Sequence, residues 1–125
     1  MTVAVQPRSR MPFTVWVFAV AVPVVIGFAG VVLQLLWLPE LPDPVAIHWG
    51  AADQPDGYGP AWSTVLISAI LLLGLPAMFA GMLATSRGAA PTPTHKFLAA
   101  TASFMGVMLT TTLTGSMGMQ RGLAD

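Results

Sequence analysis

Residues 11–39 read MPFTVWVFAVAVPVVIGFAGVVLQLLWLP, and none of them carries a formal charge. Two more charge-free stretches follow, at 57–86 and 97–120. Each exceeds the roughly 20 apolar residues that cross a bilayer as a helix. Hydrocarbon offers the backbone no water to bond, so such a run must close its hydrogen bonds internally. The expected fold is therefore an all-α membrane protein with three transmembrane helices, at about 13–38, 62–84 and 97–119. The third run is diluted by Thr101, Ser103, Thr110, Thr111, Thr112 and Thr114.

The bulk composition agrees with this. Hydrophobic residues make up 55% of the 125, and charged residues 8%, against about 25% in soluble domains. The net charge is zero, so no basic field exists to hold nucleic acid. Without cysteine there are no disulfides, thiolate nucleophiles or cysteine-ligated zinc. A cleaved signal peptide fits the first run poorly. Its apolar core is too long, and Leu36-Trp37-Leu38-Pro39 is no small-residue cleavage site.

The few charges predict an orientation. Arg8 and Arg10 precede the first span, and Arg87 and Lys96 lie between the second and third. The segment joining the first two spans holds Glu40, Asp43, Asp53 and Asp56 and no cation. Basic residues stay cytoplasmic, which puts the tail 1–12 and the loop 85–96 inside. The proline-rich loop 39–61 is then extracytoplasmic, with a short tail at 121–125. Arg121 alone opposes this arrangement.

Apolar contact cannot drive helices together in lipid, so small residues that admit close backbone approach are the expected contacts. Each span offers one such face: Pro23, Gly27, Gly30 and Gln34; then Gly74, Ala77 and Gly81; then Ala99, Ser103, Gly106, Thr110 and Thr114. A compact bundle follows, or one that also forms a homo-oligomer. Pro23 and Pro76 are expected to kink their helices. Trp16, Trp37 and Trp62 suit the membrane interface. Ser and Thr commonly serve as helix glue, so packing is preferred to a polar transport path. The spans hold no ionisable residue of the kind that proton-coupled carriers use.

In the outer loop, Pro39, Pro42 and Pro44 favour extended backbone. Residues 45–49, Val-Ala-Ile-His-Trp, suit a short extended piece, and Pro55-Asp56-Gly57 reads as a turn. With Trp49 and Tyr58, the loop is expected to fold back on the bilayer surface. His48 with Asp43, Asp53 and Asp56 offers imidazole and carboxylates of the type zinc accepts. One histidine with no second at ligand spacing predicts structural hydrogen bonding instead, with His48 and Asp56 the residues that would carry any metal. No cofactor is expected. Ser63 has no identifiable base beside it, and no enzyme activity is expected.

The order Leu41-Pro42-Asp43-Pro44-Val45-Ala46-Ile47-His48-Trp49-Gly50, then Gln54-Pro55-Asp56-Gly57-Tyr58-Gly59-Pro60, resembles the signature of a bacterial membrane family called domain of unknown function 1648. The resemblance covers the loop and both flanking helices, about half the chain. One departure is Asp53, which stands where the family often has glycine. The resemblance implies kinship with the amino-terminal part of the longer SdpI-type toxin-immunity proteins, and so a bacterial plasma membrane. It also implies that Pro42, Asp43, His48, Trp49, Pro55, Asp56, Gly57 and Tyr58 shape a recognition loop. Three functions follow as expectations: immunity or sensing through contact with a peptide or envelope component, an accessory subunit for a partner membrane protein, or an oligomeric pore or carrier. The bilayer is the partner common to all three.

Overall fold

A computed structural model describes residues 2–4, 9–86, 88 and 90–123. Arg8 and Arg87, two of the cations behind the orientation argument, lie outside the described residues. Three helical spans, a first span α1 over Phe13–Glu40, α2 over Ala61–Thr85 and α3 over Pro93–Met119, are long and apolar enough to cross a membrane. Between α1 and α2 the chain is not a loop. It forms an antiparallel hairpin of β1 (Val45–Trp49) and β2 (Pro55–Gly59), a small sheet added to the expected three-helix fold. The hairpin shares its end of the bundle with the start of α2 and the end of α3. Lys96 lines a shallow surface with Thr14 and Phe18 at the opposite end.

The first span shows how a proline is accommodated in lipid. Val17–Ala21 is a π-helical turn, and the Val22 amide bonds back to the Val17 carbonyl. Pro23 has no N–H to offer the preceding turn. The Phe18 carbonyl thus loses both partners, because the Val22 amide is taken and Pro23 has none. The Ser103 hydroxyl of α3 donates to that carbonyl. An orphaned backbone oxygen at membrane depth is costly, so Pro23 and Ser103 act as a matched pair across two helices.

Close approach continues along α1. A Cβ added at Gly106 would lie 2.7 Å from Pro23 Cβ, and one at Gly27 would lie 2.8 Å from the Leu72 carbonyl oxygen. At Gly30 it would lie 2.6 Å from Thr110 Cγ2 and 2.8 Å from Thr114 Oγ1. Pro23, Gly27, Gly30 and Gln34 are all buried, as are Ala99, Gly106, Thr110 and Thr114 of α3.

On α2 the expected seam is corrected. Gly74, Ala77 and Gly81 are exposed, and a Cβ at Gly74 or Gly81 meets nothing within 4 Å. The buried face is instead Val65, Ser68, Leu72, Pro76, Phe79 and Leu83. That face suits α1 because Leu72 fills the space Gly27 leaves open. A bulky residue on one helix needs a glycine on the other, and α1 already supplies the glycines.

α3 begins at Pro93, four residues before the apolar run. Thr92 and His95 form a reciprocal capping box, with the Thr92 amide donating to His95 Nδ1 at 3.0 Å. Proline at the first helical position costs nothing there. The result is a helix that starts in the polar linker rather than at the hydrocarbon edge.

Candidate functional site

The hairpin owes its place to a base that is held on every side. Leu41 and Val45 are buried with Ala61 and Val65 of α2 and Met117 of α3. The Asp43 carboxylate accepts a 3.2 Å hydrogen bond from the Ala61 amide. That satisfies one of the unpaired donors at the start of α2 and sets a negative charge against the positive helix end. Across the hairpin's outer edge, Ala46 N–H donates to Gln120 Oε1 at 2.7 Å, and Gln120 Nε2 donates to the Ala46 carbonyl at 2.9 Å. Gln120 therefore does for β1 what a third strand would do, and both of its bonds are buried. Unpaired strand edges invite association with other chains, and this amide closes one.

The chain end adds a second tie. Arg121 donates to Glu40 Oε2, with Nη2 at 2.7 Å and Nε at 2.8 Å. Its guanidinium lies 4.8 Å from the centroid of the Trp37 ring, and the Gly122 amide donates to the Glu40 carbonyl at 2.9 Å. The cation that opposed the orientation argument thus pairs with an acid of the segment that joins the first two spans.

The reversal of the hairpin is not where the sequence suggested. Pro55-Asp56-Gly57 is strand, and Gly57 has no positive φ. The chain turns at residues 50–54, where the Gly50 amide donates to the Gln54 carbonyl at 2.9 Å and Asp53 takes a φ of +53°. Glycine adopts that left-handed backbone freely and aspartate tolerates it better than most residues. Gly57 is needed for another reason: a Cβ there would lie 2.9 Å from His48 Cβ on the facing strand.

Above this base the hairpin presents a different surface. His48 Nδ1 and Asp56 Oδ1 pair across the strands and both side chains are more than half exposed. Trp49, Asp53 and Tyr58 are exposed, and Pro42 is half-buried. The eight motif residues therefore divide. Asp43 caps α2 and Gly57 admits His48, while His48, Trp49, Asp56 and Tyr58 face outward; Pro55 opens β2. Asp43 and Asp56 have separate partners, and no group of three or more His, Asp or Glu side chains among the described residues is placed to hold a metal. The Ser63 hydroxyl donates to the Pro60 carbonyl at 2.9 Å.

Gln120, Arg121 and Ser103's role at Phe18 were not foreseen. Only the polarity of Gln120 and Arg121 at the end of an apolar run signals that something must receive them. Deeper in the bundle, Gln34 is fully buried and donates to Thr114 Oγ1 at 3.0 Å, linking α1 to α3.

Residues 24–73, from within α1 through the hairpin to the middle of α2, match the family described as domain of unknown function (DUF1648). No curated protein and no solved structure matches significantly. The matched segment contains the hairpin and the two helices that carry it, but neither Gln120 nor Arg121. The chain is a three-helix, membrane-type protein whose residues 24–73 are similar to the family described as domain of unknown function (DUF1648).

Proposed function

We propose that this is a non-enzymatic protein of the bacterial plasma membrane, with its amino terminus cytoplasmic, and that its hairpin recognises a peptide or envelope component outside the cell. Protection against a secreted peptide, as in SdpI-type immunity, is the function that fits such a surface. The observation that carries it is the division within the hairpin. Its base is anchored to all three helices, while His48, Trp49, Asp56 and Tyr58 are left facing out. Aromatic rings held on a rigid support are effective contact residues because little entropy is lost when they bind.

The orientation draws support from the charges. Arg10 and Lys96 lie toward one end, and Glu40, Asp43, Asp53 and Asp56 toward the other, where Arg121 is already paired. The chain has no cysteine, so single cysteines at Ala51 and Ala90 can be labelled in intact cells with a membrane-impermeant thiol reagent. Labelling at 51 alone is expected, and labelling at 90 alone would invert the protein. In cells challenged with secreted antibacterial peptides, His48→Ala combined with Asp56→Ala should abolish protection at unchanged membrane abundance. Protection that survives the double change would end the recognition assignment.

One observation favours a second role, as an accessory subunit. Gly74, Ala77 and Gly81 form a small-residue face directed away from the bundle, the kind of face a partner's transmembrane helix uses. A pore is less well supported, because Thr110 and Thr114 are packed against Gly30.

A further inference from the structure

We infer that the groove between the hairpin and α3 is a docking site for a cationic, amphipathic peptide segment lying in the outer half of the membrane. The inference rests on the recognition role proposed above and gives it a place and a ligand chemistry.

Two clefts meet beneath the hairpin. One, of about 690 Å³, runs along α3 past Thr111, Thr112 and Gly115 and is walled by Trp49 and Asp53. The other, of about 360 Å³, lies between Tyr58, Pro44 and Leu123. Both are lined by Trp49, Ser116 and Met119, so they form one continuous groove. Its floor is low because Gly115 has no side chain and nothing approaches within 4 Å of where one would be. Met119 is 75% exposed, a flexible thioether suited to varied apolar partners. From Thr111 to Met119 the helix rises about 12 Å, close to the depth of one leaflet's hydrocarbon, about 15 Å.

Charge selects the occupant. Of the four acids at this end, Glu40 is held by Arg121, Asp43 by the Ala61 amide, and Asp56 by His48. The Asp53 carboxylate has no hydrogen-bond or ion-pair partner among the described residues, and Asp53 stands on the groove wall. A second copy of the chain related by a two-fold axis along the membrane normal would bring two acidic ends together and add no unpaired cation. A segment with lysines on one face and leucines on the other would fill the apolar floor and meet Asp53.

The test uses the full chain in phosphatidylcholine nanodiscs, with empty discs subtracted. A fluorescent amphipathic helix of leucine and lysine is the probe, and its leucine–glutamate counterpart the control. The lysine probe should bind the protein discs above background and the glutamate probe should not. Asp53→Asn should weaken binding about threefold, the scale of one exposed charge pair. Gly115→Leu, which fills the floor, should weaken it by about tenfold or more. Equal binding of both probes, no binding above empty discs, or affinity indifferent to both variants would each overturn the groove assignment. Asp53→Asn lies on an exposed turn, so it remains informative if Gly115→Leu fails to fold. The protection assay with His48 and Asp56 changed is independent: if it alone responds, recognition stands and the groove falls.

Discussion

At the end where the first span begins, Val15, Ala19, Phe79, Leu83, Ala99 and Ala102 pack into one apolar cluster, and among the described residues there Ser103 alone hydrogen-bonds across, to the Phe18 carbonyl. At the hairpin end the cluster is smaller, Leu41, Val45, Ala61, Val65 and Met117, and directional bonds surround it. Asp43 bonds the start of α2, Gln120 bonds the edge of β1, and Arg121 bonds the end of α1. Apolar contacts in lipid compete with acyl chains of equal apolarity, so shape is what they contribute. A hairpin has many ways to lie on a membrane surface, and only directional partners choose one. The first end is fixed by fit and the second by polar address.

The largest effect is expected where fit is tightest. In Gly106→Leu the new Cβ falls 2.7 Å from Pro23 Cβ and 3.0 Å from Pro23 Cα. Backbone cannot yield as a side-chain tip can, so the bundle should lose about 3 kcal/mol, measured as unfolding in mixed detergent. Gly81→Leu meets nothing within 4 Å and should change stability by less than about 0.5 kcal/mol. Equal losses at both positions would mean that propensity, not approach, sets the cost, and the claim of fit would collapse.

Next comes polar address. Gln120→Leu strands the Ala46 N–H and carbonyl, both bonded inside the protein in the wild type. Leaving buried groups unpaired costs about 2 kcal/mol, and here the loss should be local. Hydrogen exchange should quicken across residues 45–59 while the three spans keep their protection. Unchanged exchange there would show that Leu41 and Val45 hold the hairpin alone.

These two substitutions also mark what could be read from sequence. The spans were legible because charge is excluded from hydrocarbon, and composition alone reports that. The buried face of α2 was not, since Gly74, Ala77 and Gly81 suit close packing as well as Ser68 and Pro76 do; which face turns inward depends on Gly27 lying opposite Leu72. Of the hairpin, β1 was visible in Val45–Trp49. β2 was hidden because Pro55-Asp56-Gly57-Tyr58-Gly59 is rich in residues that strands avoid. Its pairing depends on Gly57 accepting His48 across the strand. The tie from Gln120 to β1 was illegible for another reason: Gln120 lies 74 positions from Ala46, and no local pattern links them.

The smallest effect should come from Arg121→Gln, and it sharpens the contrast between kinds of polar tie. Arg121 and Glu40 are 40% and 49% exposed, so water and ions already screen the pair. Such bridges contribute under about 1 kcal/mol, and stacking on Trp37 adds about 0.5 kcal/mol at an exposed site. Glutamine keeps an amide donor but loses the charge, the forked donors and the stacking on Trp37. The stability gap between wild type and variant should therefore be small in dilute buffer and should narrow further as salt rises. The Gln120→Leu gap should ignore salt, because its bonds are buried and neutral. If Arg121→Gln proved as damaging as Gln120→Leu, or its cost persisted in high salt, then charge rather than the buried amide would be what addresses the hairpin to the bundle.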